Sequence, residues 1–322
     1  MLTTVVGNYP KVAEGLYSTI GPIAKWERQE LTDAQLEEAF REVTRQVIRE
    51  QEQAGVDLVT DGQIRWDDLV RPLARGVTGF EVNGLSRWFN NNIYYRRPIL
   101  HKAPARRKPI LVEDYRFAAG AATRPVKAVL PGPYTFAVLS EDRHFKRLRP
   151  FALALAELLN AEARDLERAG AAFIQFDEPA IGCGKTDVKL AVEALNVALG
   201  GLKGTTAVVA YFGALDGALA ALMKSKADVV GVDVVSDPKN LAALRRAKVT
   251  KALALGCVDA RNTKLESVTE LHARFKAVRN LVPADRLYVS PNCGLEFLPH
   301  TQAQAKLTRL VEAVRTYRTG GR

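Results

Sequence analysis

Cysteine and histidine are scarce. The chain has three cysteines (Cys183, Cys257 and Cys293) and four histidines (His101, His144, His272 and His300) among its 322 residues. Three cysteines with no CxxC pair exclude a disulfide framework and a ready-made zinc knuckle, and they suggest a reducing, cytoplasmic setting. None of the histidines lies on a predicted strand end, so no Ser-His-Asp arrangement can be built. His144 and His272 read as helix-surface residues, and His300, after Pro299, is the one nearest a strand end. Long apolar runs are missing too: none approaches the ~20 residues of a membrane span. The first ten residues, MLTTVVGNYP, lack the basic region and cleavage site of a signal peptide. There is no GxGxxG phosphate fingerprint, no Gly/Pro/Ser-rich linker, no low-complexity segment and no short repeat, which favours one domain.

What is present is apolar strand alternating with helix. Hydrophobic residues make up 47% and charged residues 25% of the chain, enough apolar material for a sizeable buried core. The net charge of +10 raises the question of nucleic acid. The basic stretch YYRRPILHKAPARRK (Tyr94 to Lys108) reads first as an exposed loop or hairpin. Elsewhere Lys and Arg are mixed with acids along helical faces, so no nucleic-acid partner is expected. Steering of an anionic small substrate is the other use such a charge allows.

Eight apolar strands are predicted at 3–7, 56–62, 127–133, 173–179, 207–213, 229–235, 251–259 and 286–294. Helices fall at 31–54, 151–169, 188–199, 214–223, 238–247, 265–278 and 301–317. Near-continuous apolar strands fit a parallel sheet buried on both faces. The count is that of an α/β chain of the (β/α)8 TIM-barrel kind, with a doubly wound open sheet as runner-up. A long irregular stretch, Gln63 to Arg124, with Trp66, Trp88, Phe89 and three consecutive asparagines, is expected to be an insertion or lid.

In a barrel the C-terminal strand ends gather the chemistry. Here they carry Gly7-Asn8-Tyr9, Asp61-Gly62-Gln63, Gly132-Pro133, Asp177-Glu178, Tyr211, Asp233, Cys257 and Cys293. Adjacent carboxylates at Asp177 and Glu178 point to opposite sides. One can bind an amine or act as a base, while the other pairs with an arginine or caps a helix. Asp233 and Cys293 are two metal-ligand types, but zinc normally takes at least three protein ligands.

The ordered motifs TTVVGNYP, AGVDLVTDGQIRWDDLV, VLPGPYTF, IQFDEPAI, LGCVDARNTKLESVTEL and RLYVSPNCGL resemble the cobalamin-independent methionine synthase family in its catalytic barrel, over essentially the whole chain. The resemblance implies a (β/α)8 barrel, methionine biosynthesis, and methyl transfer to a small thiol such as homocysteine from a methylfolate or methylcorrinoid donor. It implies zinc held by a His-x-Cys pair, an acid and a Cys. Cys293 matches the last and Asp233 stands for the acid, while the His-x-Cys positions are Val209 and Tyr211. Cys257 could stand in as a ligand. Val6, Gly7 and Asn8 resemble the backbone segment that holds the substrate carboxylate, Asp177 the amine-binding residue, and Gln63 stands where many members carry Glu. With half the zinc ligands replaced, two other readings stay open. One is a diverged, metal-free transferase or carbon–sulfur lyase using Asp177, Glu178 and Tyr211 for acid–base work. The other is a non-catalytic, ligand-binding barrel.

Overall fold

The protein's structure is a computed structural model that describes residues 1–11, 20–87, 89, 94–183 and 186–319, with the side chains of 20, 21, 318 and 319 set aside. Trp88 and the asparagines at 90–92 fall outside the described residues.

In chain order the elements are β1 (Leu2–Thr3), α1 (Ile20–Glu27), α2 (Asp33–Ala54), α3 (Arg71–Gly76), β2 (Val77–Arg87), β3 (Tyr94–Arg106), α4 (Val112–Ala121), β4 (Ala128–Pro131), α5 (Pro133–Leu139) and β5 (Glu141–Asp142). They continue with α6 (Leu148–Arg168), β6 (Phe173–Asp177), α7 (Val188–Ala198), β7 (Thr205–Ala210), α8 (Leu219–Leu222), β8 (Val229–Asp233) and α9 (Lys239–Arg246). The last four are β9 (Ala252–Val258), α10 (Val268–Val278), β10 (Leu287–Pro291) and α11 (His300–Thr319). The chain forms two compact units: Met1–Arg65 with Asp114–Lys127 and Ala254–Arg322, and Trp66–Glu113 with Ala128–Leu253.

In the first unit β9, β10 and β1 lie side by side, and β1 pairs parallel to β10. The predicted strand at 56–62 is reduced to two isolated parallel bridges, Thr4 with Leu58 and Val59 with Val126. The helix α2 begins at a capping box between Thr32 and Gln35 and ends at Gly55, whose φ of +88° is the left-handed conformation that suits glycine at a helix C-terminus. Its buried positions (Val43, Val47, Ile48, Gln51, Ala54) recur at helical spacing. Thr44, Glu50 and Gln51 are buried polar residues of the same helix, and Gln51 is the one that reaches the loop at Thr60. Its amide donates to Thr60 O at 3.0 Å and accepts from Thr60 N at 3.0 Å. Thr60 Oγ1 in turn donates to Gly7 O at 2.8 Å. A buried helix side chain therefore fixes the loop that the sequence marks as substrate-binding.

In the second unit β8, β7, β6 and β4 form a parallel run in that order, every β6 residue buried. The helix α6 turns Phe151, Leu155, Leu159 and Leu166 inward, each side chain stabilising the fold by about 1.5–3 kcal/mol on burial. Both units use one device to fix a strand's start. Asp57 accepts from Thr3 N and Oγ1, and Asp228 from Thr206 N and Oγ1, all at 2.8 Å.

The stretch from 63 to 124 is more regular than its sequence suggests, holding α3, the antiparallel pair β2–β3, and α4. The strand pattern is hidden because Gly79, at φ +99°, and Gly84, at +69°, sit at or near two register shifts that break the alternation. The basic stretch is strand β3 of this hairpin, and Arg106 reaches the buried Glu162 of α6 at 2.7 Å. The predicted helix at 214–223 shrinks to α8, because Asn240 Oδ1 captures the Leu215 amide at 2.8 Å and holds the chain in a turn. His144 lies in an exposed loop rather than on a helix.

Candidate active site

The acid pair at the end of β6 divides as alternation along a strand requires. Asp177 is 2% exposed, and its Oδ1 accepts from Gln175 Nε2 at 2.7 Å. Its Oδ2 faces the Tyr211 hydroxyl at 3.3 Å, a long contact for two oxygens. Glu178 turns the other way and is fully buried. Oε1 accepts from Tyr134 N at 3.0 Å, and Oε2 from Thr135 N at 2.8 Å and Thr135 Oγ1 at 2.6 Å. These amides are the unpaired donors of the first turn of α5, so Glu178 caps that helix from 43 and 44 positions away. The cap explains Gly132, where a Cβ would fall 2.0 Å from Glu178 Cδ. Burial pushes the Glu178 carboxyl up to about 7, against the pull of its hydrogen bonds to Thr135 and Tyr134.

Tyr211 follows β7 and is buried. The next residue, Phe212, takes a φ of 76°, and its ring stands edge-on to Tyr211 at 4.6 Å. Phe212 N donates to Asp233 Oδ2 at 3.1 Å, and Asp233 Oδ1 accepts from Val235 N and Ser236 N at 2.9 Å each. Both oxygens of that candidate ligand thus brace the turns after β7 and β8. Val209 pairs in register with Asp177 on one side and Gly231 on the other, and its methyls would lie 2.8 Å from a Cβ on Gly231. That space is filled by hydrocarbon.

In the first unit three segments converge through the backbone. Tyr9 N donates to Gly62 O at 2.9 Å, and Leu295 N donates to Asn8 O at 2.9 Å. The substrate-binding candidates Val6, Gly7, Asn8 and Gln63 are therefore brought together with the Cys293 loop. Among the described residues nothing accepts a hydrogen bond from the Gly7 or Asn8 amide. Gln63 is 1% exposed, holds a φ of 50°, and leaves both atoms of its amide without a partner among the described residues. Unsatisfied buried polar atoms cost about 1–3 kcal/mol each, and a strained φ at a non-glycine residue adds to that; both features cluster at functional sites.

Cys293 is fully buried, its thiol donating to Gly294 O at 3.6 Å. Cys257 is equally buried, and desolvation pushes its thiol up to about 12. That marks a protonated core filler rather than a ready thiolate ligand. His300 opens α11 with its Nδ1 3.0 Å from Glu50 Oε2 on α2 and its ring edge-on to Tyr9 at 5.5 Å. Zinc is poorly served by this donor set. Val209 has no donor atom, Asp233 is occupied by three backbone amides, and no group of three or more His, Cys, Asp or Glu able to hold a metal occurs among the described residues.

Sequence reasoning missed Glu296. It follows the Cys293 loop, and its Oε2 is buried without a partner among the described residues. The signal available was Gly294, where a Cβ would lie 2.0 Å from Glu296 Oε2 and 2.9 Å from Asn8 Cβ. No described helix is long and apolar enough to cross a membrane.

A profile of the family described as "Cobalamin-independent synthase, Catalytic domain" matches residues 1–316. A methionine synthase from Saccharolobus solfataricus is 30% identical over 326 aligned positions, covering 98% of this chain and 94% of that protein. One from Sulfolobus acidocaldarius is 29% identical, covering 96% and 90%. In three dimensions the chain resembles a B12-independent methionine synthase from Shewanella sp. W3-18-1, in complex with selenomethionine, with a TM-score of 0.85, 26% identity and 99% and 98% of the two chains covered. A putative vitamin-B12-independent methionine synthase from Listeria monocytogenes, at TM-score 0.77 and 15% identity over 97% and 96% of the chains, shares the fold. The fold class is therefore α/β of the (β/α)8-barrel kind, as the strand count implied.

Proposed function

The chain belongs to the cobalamin-independent synthase family through its catalytic domain, and on that premise we propose that it transfers a methyl group to the thiol of a small amino-acid acceptor, homocysteine being the simplest. It is a methyltransferase by family. The observation that carries the reading is the Tyr211 hydroxyl 3.3 Å from buried Asp177, at a position where the family resemblance expects a metal-binding sulfur. A catalytic hydrogen bond that is long without substrate can tighten when substrate arrives.

In the transfer, the acceptor sulfur forms a bond to the methyl carbon while the carbon's bond to the donor breaks. The electron pair of the broken bond leaves with the donor, a methylfolate or methylcorrinoid. The thiol proton must go to a base. In the second unit Tyr211 meets the thiol, and Asp177 takes up the proton through the phenol. Glu178 supports them by fixing α5 and the end of β6, and its caps commit it to that role. Taken by itself, the first unit leaves the amides of Gly7 and Asn8 without an acceptor among the described residues, so they offer two donors to an anionic group. The selenomethionine bound by the Shewanella relative, an amino acid with a methylated chalcogen, supports an acceptor of this shape. Val209 and the braced Asp233 leave zinc without a conventional ligand set, and no step is drawn through it. The three free cysteines fit a reducing, cytoplasmic setting.

Tyr211→Phe tests the assignment. It should lower kcat by roughly 10²-fold or more, the scale of general acid–base catalysis, with little change in KM. A variant as fast as the wild type would remove Tyr211 from the chemistry.

A further inference from the structure

The molecule's excess charge is gathered in one place. From the start of α3 to the two residues after β3, positions 71–108, there are nine Lys and Arg against one acid, Glu81. That is a net +8 in a chain whose total is +10. Part of this charge is turned inward. Arg71 pairs with Asp67 at 2.7 Å, Arg97 lies 3.6 Å from Glu141, and Arg106 reaches Glu162. Arg96, Lys102, Arg107 and Lys108 are exposed and have no acidic partner among the described residues. Edge protection does not account for them. Charged side chains often guard the open edge strand of a sheet, but the outer strand here is β2. Arg96 and Lys102 lie on β3, which pairs with β2 on one side and with β5, at Ile99 and Leu100, on the other.

The inner side of the hairpin is fixed to its own unit. Phe80 stacks on Phe136 of α5 at 5.5 Å, and the Tyr95 hydroxyl donates to Leu139 O at 2.6 Å. Register then settles the outer side. Leu85 stands opposite Arg96 and Arg87 opposite Tyr94, with Ser86 and the buried Tyr95 between them. Residues directly opposite in an antiparallel pair share a face, so Leu85, Arg87, Tyr94 and Arg96 form one outward patch. Leu85 is 67% and Tyr94 61% exposed, more than any other large apolar side chain among the described residues.

We propose that this outer face of β2–β3 is a docking surface for a second protein that presents an acidic surface. Charge complementarity chooses the sign of the partner. Leu85 and Tyr94 choose its class. A phosphate chain gains little from an exposed leucine, whereas protein interfaces set an apolar or aromatic centre within a polar rim and are enriched in Tyr and Arg. The hairpin is anchored before any partner arrives, so docking has little backbone to order.

The test follows the fluorescence anisotropy of a labelled acidic peptide, glutamates interspersed with leucines, beside labelled oligothymidylate of the same length. Wild type should bind the peptide more tightly than the oligonucleotide, with affinity falling as salt rises. Combining Arg96→Glu, Lys102→Glu and Arg107→Glu should weaken peptide binding by about 10- to 100-fold, because three surface attractions become repulsions. The same reversal at Lys224, Lys226 and Lys248, exposed lysines of the same unit, should leave binding near wild type. Leu85→Ser should weaken the peptide by about 3- to 10-fold and leave the oligonucleotide unchanged. It also serves as the reading if the triple variant folds poorly. Absence of peptide binding, equal loss in the lysine control, or a Leu85→Ser variant that binds like wild type overturns the proposal. So does tighter binding of the oligonucleotide, which would make the hairpin a nucleic-acid site instead.

Discussion

Gly132→Ala should be among the most destabilising single-methyl additions the second unit can receive. The new Cβ would lie 2.0 Å from Glu178 Cδ, 2.1 Å from Cγ and 2.3 Å from Oε1, all far inside van der Waals contact. The Glu178 carboxyl would have to retreat by roughly 1.5 Å to reach an ordinary carbon contact of 3.5–4.0 Å. It cannot do so and keep three hydrogen bonds of 2.6–3.0 Å to Tyr134 and Thr135. Each bond to a charged group has a net worth of about 1.5–3 kcal/mol, and the three act on one carboxyl and are not additive. Stranding a buried carboxylate costs about 3–5 kcal/mol in comparable cases. We therefore expect a loss of about 3–5 kcal/mol, read as a shifted urea midpoint at constant slope. Glu178→Ala removes the colliding group, so the two losses should be strongly sub-additive, with a coupling of about 2 kcal/mol or more. A Gly132→Ala loss below about 1 kcal/mol, or simple additivity, would refute the clash and the anchoring role of Glu178.

Two more predictions concern buried charge. Glu178 has its folded pKa raised to about 7, by burial first. The folded protein therefore holds this proton more tightly than the unfolded chain, and the associated stability is complete below the unfolded value and lost as pH rises through 7. Wild type should lose stability relative to Glu178→Gln between pH 5 and pH 8 in urea titrations; a flat difference would contradict the shift. His300→Leu should cost about 3–5 kcal/mol, because it leaves the buried Glu50 without its ring partner at 3.0 Å. Burial alone would raise the Glu50 pKa, but hydrogen bonds from His300 and Gln46 outweigh it and lower the net value. The stability tied to Glu50 is present above its unfolded pKa and lost as pH falls through the folded one, so the cost of His300→Leu should shrink in acid.

Local pattern carried much of the architecture. FIQFDEP reads as a strand over 173–179; it is β6, buried throughout but ending earlier, at Asp177. LTDAQLEEAFREVTRQVIREQEQAG shows its cap, its apolar stripe and its stop, and α2 obeys all three. What failed to show depends on distant partners. No element is predicted over Pro133–Leu139 beyond the strand ending at 133, yet it is helix α5, whose free amides find their acceptor in Glu178, far along the chain. The hairpin β2–β3 is interrupted by glycines whose positive φ values mark register shifts rather than an end. The candidates Asp177 and Tyr211 of the second unit, and Asn8 and Gln63 of the first, are named by the sequence alone. A helix cap was one of the readings open for the acid pair, but which acid caps and which helix it caps were not legible, nor was the return of Glu296 over Gly294, since both depend on which way a side chain folds after a strand ends.

The most direct test of the central claim is transfer of an isotopically labelled methyl group from methyltetrahydrofolate or methylcobalamin to homocysteine. Product is identified as methionine by mass spectrometry, with Asp177→Asn run in parallel. The account predicts labelled methionine with at least one donor and a drop of roughly 10²-fold in kcat for the variant. No methylated thiol with either donor, or an Asp177→Asn variant as active as wild type, would contradict it.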